Sequence, residues 1–503
     1  MSETWRIDEA DPAALDFIAS ALALIVRTGD LITLTGGQST SFGDALVGHI
    51  RGTPEADILS RDSANVQILE TSRLRITRFG FRTAGAQEVG LADALAQGLA
   101  LVEQGEHGSQ ALPADALEIE TGEPDDDGTV RFELRGHGAW SGRLARLRAM
   151  AAFLKRATSG RPRLGYLQGD ASTRAYARVR TQDRACILMD SPRQPDGPVI
   201  RDGKPYSAIA HLAEDVRPFV AVATALRAAG LSAPEVLAHD LDDGFLLIED
   251  LGDRVYGAEV AARDDLSEIY RVAVDALVTL RGAGAPERLE LPGGAYGLPA
   301  YDDAALMIEV DLLLDWFWPA AHGTEASEPA RAEFRSLWRQ QFDFLAGQPV
   351  GWVLRDYHSP NLIWLPEREG VARAGIIDFQ DALSGPHAYD LVSLLQDARL
   401  DVPAAVERTL FAHYCAACER IDPTFDRTEF SRAYAVLGAQ RNTKILGIFV
   451  RLAKRDGKTG YLAHLPRVAA YLERNLAHPD LVALRRWYDN HLPPETRREP
   501  QAL

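Results

Sequence analysis

Cysteine is scarce in this chain. Cys186, Cys415 and Cys418 are the only three in 503 residues, an odd and sparse set that excludes a disulfide framework. Cys415 and Cys418 do form a C-x-x-C, but it lies in FAHYCAACERI, a helical pattern with no second pair or histidine cluster to complete a zinc site. No run of eighteen apolar residues occurs, and the first residues, MSETWRIDEADPAAL, are acidic, with no basic stretch ahead of an apolar one. The expectation is a cytoplasmic protein with no membrane partner. Positive charge is also short: 54 Lys and Arg against 72 Asp and Glu give a net charge of -18, so direct nucleic-acid binding is not expected. What is present is the composition of a globular protein, 46% hydrophobic and 25% charged. Its length suits two or three domains rather than one core.

Apolar residues recur at helical spacing from Ala13 to Arg27, and GDLITLTGG then reads as a buried strand closing on glycines. SFGDALVGHIRG supplies a helix with Ser41 as candidate N-cap. Further strands are expected at NVQILET, LRITRFGF, LALVEQG and TVRFELRG, and a helix at WSGRLARLRAMAAFLKRA, which together make an α/β domain over residues 1–155. A linker follows at 156–164, where ATSGRPR combines Ser, Gly and Pro. Residues 165–256 alternate strand patterns with one helix, as a small sheet-rich lobe. Residues 257–503 are mostly amphipathic helix, interrupted at GWVLRDYHSPNLIWLPEREGVARAGIIDFQDAL.

That interruption carries the chemistry. Arg355-Asp356-Tyr357-His358-Ser359-Pro360-Asn361 is followed, after AGII, by Asp378-Phe379. Phosphoryl transfer needs a carboxylate beside the attacking hydroxyl and oxygen ligands that hold magnesium against nucleotide phosphates. An Asp with an Asn five residues later, and a second Asp closing the next strand, supply both from two neighbouring segments. Asp356 is therefore the candidate base, and Asn361 and Asp378 are the candidate metal ligands. His358 is counted with Asp356 as catalytic, bonding to the loop backbone and fixing the aspartate rather than moving the proton itself.

The loop resembles that of the aminoglycoside phosphotransferase and choline kinase superfamily, H-x-D-x-H-x-x-N with a later I-D-[FW], except that Leu354 stands at the first His. A closer resemblance, to bacterial anomeric kinases of the cell-wall sugars N-acetylmuramate and N-acetylglucosamine, extends over roughly residues 160–485. Gly169 to Arg174, Leu188 to Pro192, Leu247 to Gly252, Asp378 to Ala382, Tyr389 to Arg399, Gln440 to Asn442 and Lys444 to Leu462 all share it. The resemblance implies an α+β protein-kinase-like two-lobe domain that transfers phosphate from ATP, with Mg2+, to a sugar or amino-sugar hydroxyl in cell-wall recycling. It places Gly169, Ser172, Thr173 and Arg174 over the ATP phosphates and the backbone of Glu249 and Leu251 at the adenine. Asp381, Arg399, Arg441 and Lys444 become sugar-pocket candidates. No Lys stands on the strand ACILMDSP where protein kinases hold the phosphates, so either Arg174, Arg178 or Lys204 is the candidate replacement or the role is absent. An antibiotic-modifying phosphotransferase would use the same loop and is the enzyme alternative.

The first 150 residues resemble the TsaE-type (YjeE) ATPases of the tRNA threonylcarbamoyladenosine pathway, at GDLITLTGG with SFGDAL and at LVEQGEHGSQALPADALEIE with GHGAWSGRLARL. The expected architecture is a P-loop-like domain whose phosphate loop is degenerate. Gly36, Gly37, Ser39 and Thr40 occupy a turn that is too short and has no Lys, Gly80 replaces an expected carboxylate, and Glu103 remains. The resemblance implies a domain with little hydrolytic activity. It also leaves open a nucleotide-binding, non-catalytic partnership with tRNA-modification proteins.

Overall fold

The computed structural model describes residues 2–52, 60–63, 66–81, 90–104, 114–167, 174–262 and 267–502. They form two compact units, one of Met1–Pro192 with Leu237–Asp250, the other of Arg193–Val236 with Leu251–Leu503.

The first unit opens with β1 (Glu3–Ala10), α1 (Pro12–Ile25), β2 (Leu31–Gly36) and α2 (Ser39–Arg51). It continues through β3 (Ser60–Ser63), β4 (Val66–Glu70), β5 (Arg75–Phe81), α3 (Leu91–Gln97), β6 (Leu99–Gln104), β7 (Leu117–Thr121), β8 (Val130–Gly136) and α4 (Ala139–Ala157). The eight strands make one mixed sheet in the order β1-β8-β7-β2-β6-β5-β4-β3. Its centre is parallel, with β2 between β6 and β7. Leu31, Ile32, Thr33 and Leu34 are accordingly all buried, as a strand covered on both faces requires.

β1 was not among the expected strands. It alternates Trp5 and Ile7, packed on the core, with charged residues, one of which, Arg6, pairs with Glu133 on β8 at 2.7 Å. The start of α2 also differs from expectation, since the helix begins at Ser39 after Gln38 and Ser41 lies inside it. The cause is a tight turn set against the end of β7. Gly36 has φ +95, and a Cβ there would stand 1.7 Å from the Thr121 carbonyl oxygen. The Gln38 N–H donates to Thr121 Oγ1 at 3.0 Å. The chain reverses early, and only glycine fits that conformation.

After α4 come β9 (Arg163–Leu167), β10 (Ala175–Arg180) and β11 (Ala185–Asp190), joined by the strands Val236–Asp240 and Phe245–Glu249 into a five-stranded sheet. One face of it, with Leu164, Ala177, Val179, Cys186, Leu188, Phe245 and Leu247, shares a single apolar core with Leu147, Phe153 and Leu154 of α4. Arg146 of α4 adds an ion pair to Asp190. The small sheet therefore packs as part of the N-terminal unit, against α4, which runs on to Ala157 inside the expected linker.

The second unit is mainly helical, as the periodicity indicates. Its longest helix is Arg427–Asp456, capped by Asp426, whose carboxylate accepts from the Thr428 and Glu429 N–H groups. Two short antiparallel ribbons, Val350–Val353 with Leu383–Pro386 and Leu362–Trp364 with Ala374–Ile376, frame the candidate catalytic segments. No described helix is long and apolar enough to cross a membrane. The three cysteines are free and buried, and burial pushes the Cys415 thiol up to about 12. Among the described residues no cluster of three His, Cys, Asp or Glu could hold a metal ion.

Candidate active site

The strand Val350–Val353 delivers the chain to Arg355, whose φ of +68 is a strained conformation for a side-chain-bearing residue. Asp390, on the helix Ala388–Leu395, offsets that strain by accepting the Leu354 N–H at 2.7 Å and the Arg355 N–H at 3.0 Å. Burial pushes the Asp390 carboxyl up to about 7, against the lowering effect of those two donors.

The Arg355 side chain turns into the helical core, where it meets the Ala210 carbonyl at 2.7 Å and the carboxylate of Glu309. Glu309 is fully buried and also takes Lys444 Nζ at 2.8 Å, Gln440 Nε2 at 2.9 Å and the Tyr301 hydroxyl. Burial alone would raise its pKa, but Lys444 and Arg355 outweigh it and hold the carboxyl down at about 2.

This anchoring leaves Asp356 at the surface, its side chain 44% exposed. The Asp356 carbonyl accepts the His358 N–H at 3.1 Å and Asn361 Nδ2 at 3.0 Å. The His358 carbonyl in turn accepts the Asn361 N–H at 2.9 Å. The His358 ring lies beside Asp356 but beyond hydrogen-bond reach, Nε2 standing 3.8 Å from Oδ1. Burial lowers the imidazole's pKa, and its Nδ1 has no hydrogen-bond partner among the described residues. Asp356 and His358 are thus linked through the backbone.

The second segment arrives by sheet pairing. Leu362–Trp364 pairs with Ala374–Ile376, and the Ile377 N–H donates to the Asn361 carbonyl at 3.0 Å. Asp378 takes φ +62, which brings its Oδ2 to 3.4 Å from Asn361 Nδ2, while Gln380 Nε2 donates to its Oδ1 at 2.9 Å. Phe379 stacks on Phe219 with ring centroids 4.8 Å apart and seats the turn. The Asn361 side chain therefore lies between the Asp356 carbonyl and the Asp378 carboxylate. Because Nδ2 of Asn361 is committed to the Asp356 carbonyl, its Oδ1 is the atom available as a ligand.

The sugar-pocket candidates have varied surroundings. Asp381 Oδ1 accepts the Ala213 N–H at 2.7 Å. Arg441 is buried and reaches the Gln396 carbonyl at 3.4 Å, and Lys444 belongs to the Glu309 cluster. Arg399 lies 5.6 Å from the Tyr461 ring. Its N–H shares the Asp397 carboxylate with the Ser359 N–H of the candidate catalytic loop, at 2.8 and 3.0 Å.

Of the nucleotide candidates, Gly169, Ser172 and Thr173 lie outside the described residues, and Arg174 directly precedes β10. Glu249 ends the last strand of the first unit, and Leu251 opens a segment of the second, where it packs over Gly375 beside Ile363 and Leu365. Arg178 forms a forked pair with Asp250, at 2.6 and 3.2 Å. Lys204 is exposed on the short hairpin Val199–Pro205. In the N-terminal unit, Thr40 Oγ1 donates to Glu103 at 3.3 Å, and Glu103 also pairs with Arg78. A Cβ on Gly37 would stand 2.5 Å from a Glu123 carboxylate oxygen, so a carboxylate already lies against this turn.

Glu309, Asp390 and Asp397 received no role from sequence reasoning. A usable signal for Glu309 was the pair of acids inside the apolar run ALMIEVDLLL, since a charge buried there requires partners.

Residues 164–430 match the phosphotransferase enzyme family APH. The chain is 41% identical over 359 residues to an N-acetylmuramate/N-acetylglucosamine kinase of Caulobacter vibrioides, covering 70% of this chain and 98% of that protein. It is 35% identical over 324 residues to one of Pseudomonas aeruginosa, covering 63% of this chain and 84% of that protein. Among solved structures, Bacillus subtilis YdiB matches 30% of this chain and 96% of its own at 20% identity, with a TM-score of 0.24. The loop geometry around Asp356 and a match over more than half of its length agree, and this chain belongs to the phosphotransferase enzyme family.

Proposed function

We propose that the chain transfers the γ-phosphate of ATP, with Mg2+, to the anomeric hydroxyl of N-acetylmuramate and N-acetylglucosamine, as a step in cell-wall sugar recycling. The observation that carries this reading is the 41% identity to a kinase so named over 98% of that kinase's length. The placement of Asn361 between the Asp356 backbone and the Asp378 carboxylate supports it.

In this reading Asp356 orients the sugar hydroxyl and accepts its proton as the oxygen attacks phosphorus. The backbone ties from Asp356 to His358 and Asn361 hold that carboxylate in place, and Asp390 and Glu309 fix the strained residue in front of it. The donor set fits magnesium: Asn361 Oδ1 and the Asp378 carboxylate are hard oxygen ligands, and a divalent ion that keeps phosphate and water ligands needs few from the protein. When bound, the ion neutralises charge on the transferring phosphate.

The test is incubation with ATP and magnesium beside N-acetylmuramate, N-acetylglucosamine, choline and an aminoglycoside, with products read by mass. An acid-labile sugar phosphate is expected, since anomeric phosphates hydrolyse readily in acid. Phosphorylation of the aminoglycoside alone would establish the antibiotic-modifying alternative.

For the N-terminal unit the same reading is a degenerate ATPase fold acting as a docking or regulatory module. Support comes from the absence of a Lys in the Gly36–Thr40 turn and from the Glu123 carboxylate lying against Gly37, where anionic phosphate would be repelled. ATP hydrolysis by full-length Asp356→Asn protein is expected to be at background, and turnover typical of an intact P-loop enzyme would defeat this assignment.

A further inference from the structure

The helix Arg427–Asp456 carries Lys444 and Arg451 seven residues apart, on one face and about 10 Å apart along the axis. Their surroundings differ. Lys444 is committed to Glu309, which it shares with Arg355, the residue before Asp356. Arg451 has an aromatic neighbour, with its guanidinium carbon 5.5 Å from the ring centroid of Tyr206, and the charges of Arg455 and Asp456 also act on it. Its Nε–H is buried without a hydrogen-bond partner among the described residues, and burial pulls the guanidinium below its ordinary pKa.

The nearby carboxylates are already used. Glu309 answers Arg355 and Lys444, and Asp456 forms a forked pair with Arg455 at 2.7 and 2.9 Å. The charges of three cations, Arg355, Lys444 and Arg451, thus act on Tyr206 together with the carboxylate of Glu309. A guanidinium held partly out of water with an unmet donor is costly unless an anion completes it. Its planar fork suits a carboxylate in particular.

The two acceptors proposed above differ in one group. N-acetylmuramate carries a lactyl ether at O3, ending in a carboxylate, where N-acetylglucosamine has a hydroxyl. We propose that Arg451, flanked by Tyr206, binds the lactyl carboxylate of N-acetylmuramate and so sets the preference between the two sugars. This rests on the acceptor assignment and adds the residue that distinguishes the acidic sugar from the neutral one.

The experiment compares kcat/KM for both sugars in the full-length wild type, Arg451→Gln and Arg451→Lys, with the KM for ATP measured alongside. In Arg451→Gln the ratio of N-acetylmuramate to N-acetylglucosamine is expected to fall about 10- to 100-fold, the effect of losing one charge-assisted hydrogen-bond pair. Arg451→Lys keeps charge without the fork and falls less. A second measurement needs no variant: wild-type enzyme is given N-acetylmuramate with its carboxyl converted to the amide, and kcat/KM is expected to drop by a similar factor.

An unchanged sugar ratio with a raised KM for ATP would place Arg451 on nucleotide phosphate and overturn the proposal. Equal turnover of acid and amide by the wild type would also overturn it. Wild-type failure on both sugars removes the acceptor assignment and this inference together, whereas turnover of both with an unmoved ratio removes this inference alone.

Discussion

The Arg355 guanidinium and the Glu309 carboxylate meet in the core of the helical unit, immediately ahead of Asp356 in the chain. Removing one member of a buried ion cluster costs more than the cluster itself contributes, because the remaining charges lose their compensation. Glu309→Gln would take from both Arg355 and Lys444 the carboxylate they bond to, and it is expected to destabilise the protein by about 3–5 kcal/mol in urea unfolding. The acid limb should change as well. Glu309 has its folded pKa lowered to about 2 from 4.5, so its contribution is present above pH 4.5 and lost as pH falls through 2. Identical acid unfolding of the variant and wild type would contradict this ion cluster's role.

Asp390 has the opposite sign. Its folded pKa is raised from 3.8 to about 7, so the stability linked to its protonated form is complete below pH 3.8 and is lost as pH rises through 7. Asp390→Asn cannot ionise and should not show that loss. The variant's stability relative to wild type is therefore expected to improve between pH 4 and pH 7.5, measured by chemical denaturation at several pH values. Parallel curves across that window would show that the two backbone donors keep Asp390 ionised throughout.

How much of this was legible in the residues differs from element to element. Asp356, Asn361 and Asp378 could be read because a short loop and the next strand place them at fixed spacing, so local geometry alone brings them together. Glu309 and Lys444 are 135 residues apart, and no periodicity links them until the helices pack. β1 was missed because its outward residues are mostly charged and its apolar ones are only Trp5, Ile7 and Ala10, a pattern that pairing with β8 explains and composition does not. The early start of α2 depended on Thr121, whose contact with the Gly36 turn is likewise invisible in local sequence.

Asp356 is held by its backbone and exposed at its carboxylate, which separates its chemistry from the protein's stability. Asp356→Asn is expected to lower kcat by about 10²- to 10⁴-fold, leaving the thermal midpoint and the affinity for ATP near wild type. A variant that retained a tenth or more of wild-type kcat would remove Asp356 from the role of base.

Asn361 has two tasks that can be separated by substitution. Its Nδ2 braces the Asp356 carbonyl at 3.0 Å, and its Oδ1 is the proposed ligand beside Asp378. Asn361→Ala loses both and should raise the half-saturating magnesium concentration by about tenfold, the effect of one lost hydrogen-bonded or ligating contact of roughly 1.4 kcal/mol. Asn361→Asp keeps an oxygen but sets a second carboxylate close to Asp378, since the present amide nitrogen lies only 3.4 Å from Asp378 Oδ2. Like charges at that distance repel unless a cation lies between them. The Asp variant should therefore melt below wild type in chelator and regain the difference as magnesium is added, a thermal readout that does not depend on turnover. A midpoint in the Asp variant indifferent to magnesium would place the ion elsewhere and leave Asn361 only the task of bracing the loop.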